Sequence, residues 1–255
     1  MKIKITWFIL LLLFCLIESK AQNWTLVWSD EFNYSGLPDT LKWGNEVGFI
    51  RNNELQYYTK KRIENSRVEN GNLMIIGKKE SYKTAKYSSA SLVTVNKHNW
   101  TYGKIDARMK LPTGQGMWPA FWMLGQNRTK IGWPKCGEID IMEHINNENI
   151  LYGTLHWHNK EHTSSGGKTP CNVSQYHNYS VEWDKDAVKW FLDGKKYWEV
   201  SIKDSINSTE EFHKPHYIIL NLAIGGDWPK SPDSLTIFPD TMFVDYVRVY
   251  QNKTK

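Results

Sequence analysis

Between Trp24 and Gln251 the chain offers almost no helical period. Short stretches of alternating apolar and polar residues follow one another instead, cut by Gly, Asn, Asp and Pro. Trp24 to Trp28, Leu73 to Gly77, Ser89 to Val95, Gly103 to Leu111 and Trp118 to Leu124 read as strands. So do Ile150 to Trp157, Tyr179 to Trp183, Ala187 to Leu192, Tyr197 to Ser201, His216 to Ile224 and Phe243 to Gln251. Asp193-Gly194 is a hairpin signal, residues 158–171 read as a loop, and at most one helical turn is expected near Ser208 to Phe212. Many evenly spaced strands predict an all-β antiparallel sandwich. No repeat or linker-like stretch interrupts them, so a single domain is expected.

Strand alternation assigns faces. In Gly103 to Leu111, Ile105, Ala107, Met109 and Leu111 share one face, and Lys104, Asp106, Arg108 and Lys110 share the other. In Trp118 to Leu124, Phe121 and Met123 point one way, Trp118, Ala120 and Trp122 the other. Two indoles on the face away from the core form a stacking floor, or else a second layer covers them. The neighbouring Gly114-Gln-Gly116 reads as a rim loop and favours the floor.

The segment Cys136-Gly-Glu-Ile-Asp-Ile-Met-Glu-His144 carries three acids in six residues. In a strand, Glu138 and Asp140 share one face while Ile139 and Ile141 point into a core. Strict alternation would then bury Glu143, at high cost for an unpaired charge. One extra residue at Ile141-Met142, a β-bulge, returns Glu143 to the face of the other acids. Crowded carboxyls cannot all ionise easily, so at least one pKa should rise. A proton donor beside an ionised carboxylate is what glycosidic cleavage requires; an acidic, solvated strand face is the bland alternative.

The chain opens with Met1-Lys-Ile-Lys4, the apolar run Ile5 to Ile17, and Glu18-Ser-Lys-Ala21. This is the pattern of a secretory signal peptide over residues 1–21, cut after Ala21. The run is shorter than the about 20 residues that span a bilayer. A secreted or periplasmic protein is expected, with residues 22–255 as its one domain and no membrane attachment after cleavage. Cleavage removes three lysines and one glutamate, taking the formal charge from +5 to +3. So small a charge, without a basic patch, argues against nucleic acid. Cys136 and Cys171 then remain, and their pairing is open. Thirteen Trp and thirteen Tyr exceed what a core needs. In a secreted protein they suggest a groove that stacks flat sugar faces.

These blocks together resemble glycoside hydrolase family 16, particularly its endo-β-1,3-glucanase (laminarinase) branch. The resemblance rests on Trp28-Ser-Asp-Glu-Phe32, Asn53-Glu-Leu-Gln-Tyr57, Tyr102-Gly-Lys-Ile-Asp-Ala-Arg108 and Leu111-Pro-Thr-Gly-Gln-Gly-Met-Trp-Pro-Ala-Phe-Trp122. The acid row, Gly225-Gly-Asp-Trp-Pro229 and Val244-Asp-Tyr-Val-Arg-Val-Tyr250 extend it through the whole mature chain. It implies a β-jelly roll of two curved antiparallel sheets with a concave substrate cleft, and retaining double displacement. By position it implies Glu138 as nucleophile, Glu143 as general acid/base and Asp140 as the residue tuning the nucleophile. Glu138 is expected to stay ionised while Glu143 titrates high.

The resemblance further implies aromatic subsites at Trp118, Trp122 and Trp133, a cleft end closed by Trp228, and sugar hydroxyls held by Asn53 and Arg108. His156 is expected either to hydrogen-bond the acid/base region or to be purely structural. No catalytic cofactor is implied; a structural calcium would lie at Glu31, Gly71 and Asp245. The expected partner is a β-glucan, with the protein a monomer. The alternatives are mixed-linkage β-1,3-1,4-glucan, agar- or porphyran-type galactan, and a non-catalytic glucan-binding protein, which the three intact acids disfavour. A metalloenzyme built on the eight His lacks any helical ligand pair.

Overall fold

A computed structural model of the protein describes residues 23–252; the expected signal peptide over 1–21 lies outside them. The strands are β1 (Trp24–Asp30), β2 (Gly44–Asn45), β3 (Gln56–Tyr58), β4 (Ser66–Glu69), β5 (Asn72–Tyr82), β6 (Ala85–Ser89) and β7 (Ser91–Val93). Then come β8 (Gly103–Lys110), β9 (Met117–Gly125), β10 (Glu138–Glu143), β11 (Ile150–Asn159) and β12 (Glu161–Pro170). The last five are β13 (His177–Trp183), β14 (Ala187–Leu192), β15 (Lys195–Ser201), β16 (His216–Ile224) and β17 (Asp240–Asn252). Among the described residues, helix is confined to a four-residue turn, Arg128–Ile131, and short 3-10 turns between Lys203 and His213, which include the turn expected near Ser208.

The strands form two layers of the jelly-roll type. One sheet has the order β12-β11-β10-β9-β16-β7-β2. The other runs β15-β14-β13-β8-β17-β5-β6-β3, with β1 added on β17 and β4 on β5. All pairings are antiparallel except β3 with β6, which is parallel. The inner faces interdigitate as alternation predicts. Ile105, Ala107 and Met109 of β8 meet Phe121 and Met123 of β9 and Ile139, Ile141 and Met142 of β10 in one buried cluster. Each Ile, Met or Phe among them, fully buried, contributes about 1.5–3 kcal/mol.

Two features differ from the sequence reading or complete it. Residues 158–171, expected as a loop, hold β12, paired in unbroken register with β11 from Ile150↔Pro170 to Asn159↔Glu161. None of its residues is buried, so no apolar alternation marks it. A polar edge strand of this kind also discourages pairing with other chains. Cys136 and Cys171 are both free and buried, in separate apolar clusters.

Gly153 of β11 sits against Trp190 and Tyr197 of the opposite sheet. A Cβ there would lie 2.4 Å from Trp190 Cδ1 and 2.6 Å from the Tyr197 hydroxyl. Trp190 is fully buried and donates its Nε1–H to the Asp140 carbonyl at 2.7 Å. Gly153→Ala should therefore overpack the core by about 1–3 kcal/mol. The check is a urea melt, in which the midpoint falls while the slope is unchanged.

Candidate active site

The acid row becomes a site because of one irregularity in β10. Asp140 pairs with Thr154 of β11 and Glu143 with Tyr152, so Ile141 and Met142 together oppose Gly153. On the β9 side the register shifts between Asp140 and Met142. Both bulge residues are buried in the core, and Glu138, Asp140 and Glu143 all face the same trough. The expected bulge and the shared face are both present, and the Trp190 indole satisfies a carbonyl at the start of the bulge.

The trough has a volume of about 610 Å³ on the outer face of the seven-stranded sheet. Two indoles hold the outer acids. Trp118 Nε1–H donates to Glu143 Oε1 at 2.9 Å, and Trp133 Nε1–H donates to Glu138 Oε2 at 3.0 Å. At the Glu143 end Trp228 packs edge-on against Trp118 and Tyr152, with centroids 5.5 and 5.1 Å apart. At the Glu138 end, half-exposed Trp133 lies 4.7 Å from the His162 ring. One end of the trough is thus walled by three rings and the other by an indole on an imidazole.

Burial drives the titration of all three acids. It pushes Glu143 up to about 8, helped by the Asp140 charge and opposed by the Trp118 hydrogen bond. Burial and then Asp140 raise Glu138 well above the usual range, with His156 pulling the other way. Asp140, 2 % exposed, rises through burial alone, and its Oδ2 has no hydrogen-bond partner among the described residues. The expectation of a Glu138 that simply stays ionised is therefore too simple. The three carboxyls share fewer than three charges. Asp140, with an unsatisfied buried oxygen, is the natural holder of a proton. Glu138 accepts the Trp133 Nε1–H at 3.0 Å. It is the better seat for the negative charge.

The other expected residues divide. Trp118, Trp133, Trp228 and His156 line the trough. His156 stands opposite Glu138, with Nε2 3.2 Å from Asp140 Oδ2, in ion-pair range but off the line of a hydrogen bond. It therefore stands at the Glu138 end, whereas the two expectations for it are the acid/base end or a purely structural place. Trp122 lines the trough but is only 6 % exposed, with its Nε1–H given to Asn221 at 2.7 Å and the Arg51 guanidinium 4.9 Å above its ring. It is a floor beneath Arg51, not an open stacking face.

Arg108 is misplaced by the sequence reading. It lies on β8 in the opposite sheet, bonded to Asp245 at 2.7 Å and stacked over Tyr176. The alternation that put Ile105 and Met109 in the core had already turned it outward. Asn53 binds Asp227 at 3.0 Å and does not line the trough, whereas its neighbours Arg51, Asn52 and Glu54 do. Tyr152 and Thr154, also in the wall, share the period-2 face of His156 and were legible; Arg51 and Asn221 carry no local signal.

The calcium expectation meets a different arrangement. Glu31 makes a two-point pair with Arg248 at 3.0 and 2.8 Å, and Asp245 is taken by Arg108. Gly71 sits in the turn before β5. Calcium needs six to eight oxygens, and here both carboxylates face guanidiniums. As placed, these residues do not fit a calcium cage.

A sequence model of the glycosyl hydrolases family 16 matches residues 52–247. A β-glucanase of Rhodothermus marinus is 42% identical over 253 residues, covering 92% of this chain and 87% of that protein. The clotting factor G alpha subunit of Tachypleus tridentatus is 44% identical over 238 residues; the match spans 92% of this chain but about a third of that protein, 35%. The catalytic domain of an endo-1,3-beta-glucanase (laminarinase) from Thermotoga petrophila superposes with a TM-score of 0.83 at 41% identity, covering 92% of this chain and 100% of that one.

Proposed function

The chain belongs to glycosyl hydrolases family 16, and from that premise we propose that it cleaves β-1,3-glucan within the chain, with retention at the anomeric carbon. It is a glycoside hydrolase, and its similarity to a β-glucanase and a laminarinase supports this substrate. The observation that carries the reading is the pair Glu138 and Glu143 on one strand face, each anchored by an indole, and burial that pushes Glu143 up to about 8 suits it to donate a proton.

The chemistry follows from that division. Glu143 gives its proton to the glycosidic oxygen as the bond from that oxygen to the anomeric carbon breaks. A Glu138 oxygen bonds to the same carbon, forming a glycosyl ester. Glu143, now ionised, takes a proton from water, whose oxygen displaces Glu138. Asp140, beside Glu138, holds a proton that it offers as the charge on the nucleophile changes. No cofactor is needed.

Incubation with laminarin, lichenan, agarose and xyloglucan, followed by product sizing, tests the substrate. A ladder of oligosaccharides from laminarin is expected, and release from agarose alone would overturn the reading. Export and a monomeric state belong to the same proposal. The first is supported by the leader pattern over residues 1–21 and is tested by sequencing the exported protein, which should begin at Gln22. Light scattering tests the second. A bound calcium would have to draw Glu31 and Asp245 away from their arginines, so chelation is expected to leave the melting temperature unmoved. A fall on adding EDTA, reversed by calcium, would show that the ion displaces those pairs.

A further inference from the structure

At the Glu138 end of the trough an imidazole that no hydrolytic step uses, His156, stands against the two carboxyls of Glu138 and Asp140. We propose that Glu138, Asp140 and His156 form a binding site for a transition-metal dication of the zinc class, placed on the nucleophile so that metal and glucan exclude one another.

The geometry comes from the pairing of two strands. Glu138 of β10 stands directly opposite His156 of β11, and Asp140 follows on the same face. One ligand atom from each of the three lies within 4.8 Å of the others. His156 Nε2 is 3.2 Å from Asp140 Oδ2 and 3.9 Å from Glu138 Oε1. Bonds of about 2.0–2.2 Å in a tetrahedral zinc site place neighbouring ligand atoms roughly 3.3 Å apart. The three therefore need only small side-chain rotations to close on an ion.

An independent observation points the same way. Asp140 is almost wholly buried, lines the trough, and its Oδ2 has no hydrogen-bond partner among the described residues. A dication would satisfy that oxygen. The surrounding groups suit a ligand set as well. His156 Nδ1 is 2.9 Å from His162 Nε2; a proton donated along that line leaves the Nε2 lone pair of His156 facing the two carboxyls. Trp133 covers His162 and engages Glu138 Oε2, which leaves Oε1 towards the cluster. The fourth position opens on the trough, where water completes the shell. One imidazole and two carboxylates favour zinc and its neighbours over magnesium or calcium, which take oxygen shells of six or more.

Calorimetry of zinc chloride into the full chain, with no glucan present, tests the site independently of the substrate assignment. One zinc per chain is expected, and no saturable heat from magnesium. His156→Gln and Glu138→Gln should each abolish saturable binding while melting cooperatively. His162→Phe should weaken binding roughly 10–100-fold, and His177→Gln, in the other sheet, should leave it unchanged. With laminarin as substrate, zinc should raise KM without lowering kcat, reversibly with EDTA. No saturable zinc binding, equal binding by magnesium, or unchanged affinity in both His156→Gln and Glu138→Gln would overturn the proposal.

Discussion

Glu138→Gln is expected to lower kcat on laminarin by about 10⁴-fold or more, the scale on which removing a nucleophile from a cooperating group acts. The amide is isosteric and still accepts the Trp133 hydrogen bond, now 3.0 Å long, so the trough keeps its shape. What disappears is the electron pair that captures the anomeric carbon. Binding should survive, and the variant should retain affinity for laminarin oligosaccharides within a fewfold. Near-native turnover on every β-glucan would remove Glu138 from the mechanism. Because an amide has no charge whose burial must be offset, the variant should melt no lower than the parent.

The second large effect concerns Glu143. With its pKa near 8, the group is the protonated acid through the neutral range, and kcat/KM should fall on the alkaline side as that proton is lost. Glu143→Gln cannot donate a proton. Its turnover should drop roughly 10²–10⁴-fold, the contribution of a placed general acid, and the alkaline limb should vanish from what remains. A parent profile flat to pH 10 (about two units above that pKa) would contradict the role.

The same shift affects stability in a definite direction. Below about pH 4.5, the ordinary value, Glu143 is protonated whether the chain is folded or not. Between there and about 8 the unfolded chain releases the proton and the folded one keeps it, so stability declines as pH rises through that window. Above it the loss is complete. Glu143→Gln should flatten part of this decline and raise the melting temperature at neutral pH by at least about 2–4 °C, the shift that 1 kcal/mol gives a chain of this size. A more stable but inactive variant is the usual signature of an active site that strains its own fold. A variant that melts lower across this pH range would show that Glu143 is not held against its preference.

How much of this was legible depended on distance along the chain. The acid row, its bulge and the facing of Ile139 and Ile141 came from six consecutive residues, because burying Glu143 would cost too much for any other register to compete. Arg108 was misjudged where resemblance was allowed to outrank the alternation of its own strand. β12 left no trace: an edge strand with nothing buried needs only backbone hydrogen bonds, which any sequence supplies.

Local periodicity determined that the chain is a sandwich and that Glu138, Asp140 and Glu143 share its outer face, since a period of two leaves a side chain only two choices. Tertiary structure alone decided what surrounds them. Arg51 over Trp122, Trp133 on Glu138, Asn221 under the floor and His162 behind His156 are meetings of residues 5 to 99 positions apart. Their charge and shape select neighbours only once the two sheets have closed, and the pKa of each acid is set by that closure.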